Sequence, residues 1–275
     1  MNLRKAGAAA AIATALALTA AACGSDDDKS SGTDGKKDKI VVGIKYDQPG
    51  IGLKEPDGSF SGMDVQVATY VAKELGYDEK DIEFKETKSA NRETALANDE
   101  VDFIVASYSI NDERKQKVDF AGPYFLAHQD LLVRAGEKFT DAKELNGKKL
   151  CSVTGSTSAQ NMKKDIAPDA QLVERGGYSE CVSALQNGAV DALTTDDSIL
   201  AGYAAQPANK GKFELSGLKL SDESYGIGTK KGSELTAKIN KALEKMVSDG
   251  SWEKTMNDVF GPAGYKFEPA PQIGS

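Results

Sequence analysis

Arg114, in the run Ile110-Asn111-Asp112-Glu113-Arg114-Lys115, carries the most directional chemistry in the chain. A planar guanidinium can donate two parallel hydrogen bonds to one carboxylate, which fixes orientation as well as charge. Taken alone, the run reads more readily as a surface arginine paired with Asp112 or Glu113 on a short charged helix. A second candidate is Gly155-Ser156-Thr157-Ser158, between an apparent strand and a helix. Free N–H groups and hydroxyls at a helix start favour an anion, although the same residues also make an ordinary N-cap. Lys45 leaves the first apolar run and Arg92 sits in KSANRETAL, while TTDD places Asp196 and Asp197 in succession. Lys45 by itself is what a solvated surface lysine looks like. The single histidine, His128, reads as structural, with no metal-ligand cluster, nucleophile elbow or phosphate loop beside it. These residues suit charge recognition; no motif places a catalytic acid, a metal or a cofactor.

The elements that must position them alternate in type. Ile40–Ile44 reads as a buried strand, and Met63, Val67, Tyr70, Val71 and Leu75 recur at helical spacing before Gly76. A helix over Asn91–Asn98 precedes a strand over Val101–Ala106, and further strands fit Asp130–Arg134, Lys149–Val153 and Val190–Thr194. This βα alternation predicts an α/β fold. An internal repeat sharpens it: Ala95-Leu96-x-Asn98-x-x-Val101-Asp102 recurs as Ala184-Leu185-x-Asn187-x-x-Val190-Asp191. Each copy is a helix end, a turn and a strand start that runs on into polar residues. Open α/β sheets bind ligands at the carboxyl ends of their strands, so two such units facing each other would form a cleft. Near the C-terminus an amphipathic helix spans about Ser233–Ser248, followed after Gly250 by a shorter one over Ser251–Phe260.

Of the 275 residues 40% are hydrophobic and 28% charged, as in ordinary globular proteins. The net charge of −8 argues against a nucleic-acid partner, because phosphate binding needs clustered Lys and Arg. At the N-terminus Arg4 and Lys5 precede an apolar, alanine-rich run from Ala6 to Ala22 and then Cys23, the layout of a secretory signal over residues 1–22. Ala20, Ala21 and Ala22 before a cysteine resemble a lipoprotein signal, so Cys23 is the expected lipidation site and mature N-terminus. A plain transmembrane anchor or an unmodified cysteine are the alternatives. Residues 24–39 contain no apolar side chain and predict a disordered tether, making 23–39 an anchor segment. In an oxidising compartment the remaining cysteines, Cys151 and Cys181, are expected to form one disulfide; two separate buried thiols are the alternative.

Read together, DGSFSGMDVQVA, VDFIVASYSINDERKQKVDFAGPYF, VTGSTSAQ, VDALTTDDSILAGY and DGSWEKTMNDVFG resemble the periplasmic polar-amino-acid-binding proteins of ABC importers, with most similarity to glutamate-binding lipoproteins. The resemblance covers nearly all of residues 40–262. It implies the two-lobed type II periplasmic-binding-protein fold joined by two hinge strands: lobe one over 40–126 and 227–275, lobe two with the hinge strands over 127–226. It assigns Arg114 to the ligand α-carboxylate, aided by Ser107 and Ser109, and Ser156 and Thr157 to further ligand contacts. Asp196 matches the carboxylate that pairs with the α-amino group, and Asp197 the cap of the next helix. Lys45, Arg92 and Ser89 match positions that face the distal carboxylate in acidic-amino-acid binders, and Tyr178 stands where some relatives carry histidine. The implied partners are L-glutamate or a related amino acid, the transmembrane subunits of an ABC permease, and the membrane through the lipid anchor, on its extracytoplasmic face. The rival readings are a ligand-sensing subunit for a signalling partner and, more remotely, an enzyme on the same scaffold.

Overall fold

The structure is a computed structural model that describes residues 37–274, with the side chain of Asp165 left aside. The predicted signal, Cys23 and the tether up to Lys36 lie outside the described residues. No helix among the described residues is long and apolar enough to cross a membrane.

The chain opens with the buried strand β1 (Ile40–Ile44), then a small antiparallel sheet of β2 (Asp47–Gln48), β3 (Gly52–Lys54) and β4 (Phe60–Ser61), and helix α1 (Met63–Glu74). β5 (Ile82–Glu86), α2 (Arg92–Ala97), β6 (Phe103–Ile104) and α3 (Asp112–Lys115) follow. The 17-residue strand β7 (Val118–Arg134) then leads into β8 (Lys149–Val153), α4 (Thr157–Asn161), β9 (Gln171–Arg175), α5 (Tyr178–Gln186), β10 (Ala192–Asp196), α6 (Asp197–Ala205) and β11 (Phe213–Leu215). β12 (Asp222–Lys230) returns, and α7 (Leu235–Ser248) and α8 (Ser251–Phe260) close the chain. α1 packs on α7 and α8, so the apolar stripe Ile239, Leu243 and Met246 is core.

The strand order is β5-β1-β6-β12-β7-β10-β8-β9, with β11 also on β7. Within it, two parallel trios repeat one pattern. The first strand of each trio lies between its second and third: β1 between β5 and β6, and β8 between β9 and β10. An antiparallel strand then completes each set, β12 beside β6 and β7 beside β10. β7 serves both sets: its residues Val118–His128 pair with β12, and Gln129–Arg134 pair with β10 and β11.

The internal repeat has a physical cause. Asp102 donates its N–H to the Val41 carbonyl at 2.7 Å and accepts the Val41 N–H on its side chain at 2.8 Å. Asp191 repeats this on Lys149, at 2.7 and 2.8 Å. In each copy one carboxylate starts the ladder to the neighbouring parallel strand. The strands therefore begin later than the apolar pattern suggests: β6 covers only Phe103–Ile104 of the expected Val101–Ala106, and β10 runs Ala192–Asp196 rather than Val190–Thr194. The predicted disulfide is present, joining Cys151 on β8 to Cys181 on α5, both buried.

Candidate functional site

The residues singled out in sequence gather where the parallel strands end. Lys45 follows β1, Ser107 and Ser109 follow β6, Ser156 follows β8, and Asp196 ends β10. Helices and the turn before one supply the rest: Arg92 opens α2, Thr157 opens α4, Tyr178 opens α5, Arg114 lies on α3, and Ser89 lies in the short turn before α2. One cavity is lined by Ser89, Arg92, Ser107, Ser109, Arg114, Ser156, Thr157, Tyr178 and Asp196, together with Ser158 and Ile199. Lys45 lines an adjoining cavity that shares Ser89 and Tyr178 with the first, and its Nζ donates to Ser89 Oγ at 2.9 Å. All ten sequence candidates therefore line one or the other of two cavities that share Ser89 and Tyr178.

The surface reading of Arg114 does not hold. Its side chain is buried, its Nη1 donates to the Ser109 carbonyl at 2.6 Å, and its nearest carboxylate is Glu93, at 3.7 Å, rather than Asp112 or Glu113. Arg92 lies close by. Both guanidinium groups stack over the Tyr108 ring, at 4.0 and 5.1 Å from its centre, and both donate to the Gly155 carbonyl, at 3.4 and 3.0 Å. Gly155 has φ of +80°, and a Cβ there would sit 2.8 Å from the Ala90 Cα, so this crossing of the cleft requires glycine.

The cavities bring buried charge of both signs together. Lys45, Arg92 and Arg114 are 5%, 2% and 6% exposed; the two arginines line the first cavity and Lys45 the adjoining one, which Asp47, Glu86 and Glu180 also line. Burial, then repulsion from Arg92, drives the Lys45 ammonium well below its ordinary range. Burial and the neighbouring Arg114 bring Arg92 down to about 10. In the cavity that the arginines line, burial, reinforced by Glu223, raises the Asp196 carboxyl well above the usual range, although the Tyr225 hydroxyl donates to its Oδ2. Asp196 Oδ1 and Arg92 Nε are buried with no hydrogen-bond partner among the described residues. Groups in this state favour a ligand that brings negative charge to the arginines and a donor to Asp196.

Asp197 is occupied elsewhere: its Oδ1 accepts the Ser198 N–H at 2.8 Å, the Tyr265 hydroxyl at 2.8 Å and the His128 N–H at 3.1 Å. His128 is held by Asp222, 2.9 Å from its Nδ1. Among the described residues no group of three or more His, Cys, Asp and Glu is placed to hold a metal.

Sequence reasoning missed several supporting residues. Asp64, buried on α1, accepts the Ser107 N–H at 2.8 Å and the Tyr124 hydroxyl at 2.6 Å, holding Ser107 at φ +42°. Tyr108 supplies the aromatic face beneath both arginines, and Glu223 accepts the Thr157 hydroxyl at 3.0 Å. Gln48 accepts the Ser107 hydroxyl at 3.1 Å. A signal for Asp64 existed, an acid in the otherwise apolar start of a helix; Glu223 and Gln48 carry none.

Residues 40–262 match the family described as bacterial extracellular solute-binding proteins, family 3. The chain is 47% identical over 272 residues to the glutamate-binding protein GluB of Corynebacterium efficiens, covering 92% of this chain and 90% of that one. It is 44% identical over 220 residues to the ABC transporter glutamine-binding protein GlnH of Bacillus subtilis, covering 79% of each. Among solved structures, an ancestral arginine-binding protein bound to glutamine matches with a TM-score of 0.76 at 36% identity, covering 82% of this chain and 99% of that one.

Proposed function

We propose, on the premise that this chain belongs to the family-3 bacterial extracellular solute-binding proteins, that it captures an acidic amino acid, L-glutamate first, and delivers it to an ABC permease. In this reading Arg114 takes the α-carboxylate in a bidentate grip, with Ser107 and Ser109 beside it. Asp196 takes the α-ammonium, and Ser156 and Thr157 close from the opposite lobe. Lys45, Arg92, Ser89 and Tyr178 surround the distal carboxylate. The lobes are 40–126 with 227–275, and 127–226, and closure excludes water and creates the shape the permease reads. Cys23 carries the lipid that holds the receptor at the extracytoplasmic face, through the tether.

One observation carries the preference for an acidic ligand: three buried basic residues line two cavities that share Ser89 and Tyr178, where the α-carboxylate of a neutral amino acid needs one cation. Leaving Lys45 and Arg92 desolvated beside a neutral side chain would forfeit several kcal/mol. The GluB relative supports the same choice, and the GlnH relative defines the competitor. Calorimetry of residues 40–275 against glutamate, aspartate, glutamine, asparagine and arginine tests it. Glutamate binds tightest in the expected outcome. Arg114→Ala abolishes binding of both glutamate and glutamine, whereas Arg92→Ala weakens glutamate at least tenfold and narrows its advantage over glutamine. A wild-type preference for glutamine, or an Arg92→Ala variant with unchanged glutamate affinity, overturns the assignment of the distal pocket.

A further inference from the structure

Helix α5 begins at Gly177, which has no side chain with which to cap it, and its first residue is the cavity-lining Tyr178. The carboxylate that meets this helix start comes from the other side of the cleft. Asp47 Oδ2 accepts both the Ser179 N–H and the Ser179 hydroxyl, each at 3.2 Å, across 132 residues of sequence. Ser179 is the second residue of α5, so its N–H is one of the donors that no helical carbonyl can reach. We propose that Asp47 is a positioning residue for the distal end of the pocket: it caps α5 across the cleft and seats Tyr178 only when the lobes are together.

The surrounding seam is built for that approach. A Cβ on Gly177 would lie 2.5 Å from Asp47 Oδ2, and one on Gly202 only 1.9 Å from the Pro49 carbonyl oxygen. The Tyr203 hydroxyl on α6 donates to the Asp47 carbonyl. The segment Lys45–Pro49 thus does two things at once: Lys45 presents its ammonium to the cavity, and two residues later Asp47 and then Pro49 engage α5 and α6. With the lobes apart, water would take the place of the carboxylate at Ser179. Capping then adds to the bound, closed state and leaves the free, open state unchanged.

This inference rests on the reading of the chain as a closing receptor, and its test separates the two. The probes are L-glutamate and L-glutamine, offered to the wild type, Asp47→Ala and Asp47→Asn, with affinity from calorimetry, dissociation rate from stopped flow, and melting temperature with and without amino acid. An Asp47→Ala variant is expected to bind about 3- to 30-fold more weakly, the range set by loss of an N-cap, chiefly through faster dissociation. Its ligand-free melting temperature stays at the wild-type value, and Asp47→Asn, which keeps an acceptor, recovers most of the affinity. Gly202→Ala, which obstructs the seam from the other side, shows the same pattern. Unchanged affinity and dissociation in Asp47→Ala overturns the proposal, as does an equal loss of stability without ligand, the mark of a merely structural residue. Either amino acid serves as the probe, so a preference for glutamine sinks the glutamate reading and leaves the test of the cap intact.

Discussion

Asp64 gives the cleft a pH dependence. It is buried in the first turn of α1, and desolvation pushes its carboxyl up to about 6, although the Tyr124 hydroxyl, the Ser107 N–H and the charge of Lys45 pull the other way. Its folded-state pKa therefore stands above the unfolded value of 3.8. A raised carboxyl means that the native state holds its proton more tightly. The stabilisation from that proton is complete below the unfolded pKa, shrinks as pH rises, and is gone above the folded one. Two pKa units correspond to roughly 3 kcal/mol. Urea denaturation of wild type and Asp64→Asn across pH 4 to 7 should show the wild type losing about 2–3 kcal/mol relative to the variant as pH rises. A difference that does not change with pH would mean that Asp64 is ionised throughout. Its place in the site follows from the same geometry: the carboxylate fixes the backbone of Ser107 in a left-handed turn, from which the Ser107 and Ser109 segment faces Arg114.

At the level of elements, the two βα units use one device twice. Asp102 and Asp191 each close a ring with a residue at the start of a neighbouring parallel strand, Val41 in the second position of β1 and Lys149 in the first of β8, so the strand ends that carry Ser107 and Asp196 start from a defined register. The turns before them also correspond: Asp99 has φ of +55° where the second copy has Gly188, at +72°. Asp102→Ala and Asp191→Ala should each lower unfolding free energy by about 1–2 kcal/mol, the cost of leaving one strand-start N–H without its acceptor. The asparagine variants should recover part of it, and the double alanine variant should lose close to the sum, because the two sites share no partner. Chemical denaturation measures this, and a negligible effect at both positions would show the repeat to be an accident of helix-turn-strand composition. The disulfide works at the same scale, tying β8 to α5 and thereby the start of α4 to the helix that carries Tyr178.

For the whole molecule, the long strand β7 decides most. Its first eleven residues pair with β12 and its last six with β10 and β11, so the two halves of the sheet are built on one continuous backbone. The proposed anchor belongs to this scale as well. With Cys23→Ala the protein should move from the membrane fraction to the medium or periplasm and lose incorporation of labelled fatty acid; retention on membranes in the variant would point to another means of attachment. Much of this organisation was legible in sequence where it depends on local periodicity. Ile40–Ile44, Lys149–Val153 and Ser251–Phe260 fall where their patterns put them, because burial of one face and the helix or strand repeat are properties of neighbouring residues. The ten candidate residues were legible only as motifs at strand ends. That they meet, and how, is a tertiary fact. Arg114 turns away from Asp112 and Glu113 because α3 places it over Tyr108 and the Gly155 carbonyl. Asp47 reaches Ser179, Asp64 reaches Ser107 and Glu223 reaches Thr157 across 132, 43 and 66 residues, through a strand order that no local pattern encodes. Sequence by itself determined the elements and the types of charge available; only the packing of one lobe on the other decided which charges are desolvated together, and desolvation sets how strongly they attract a ligand.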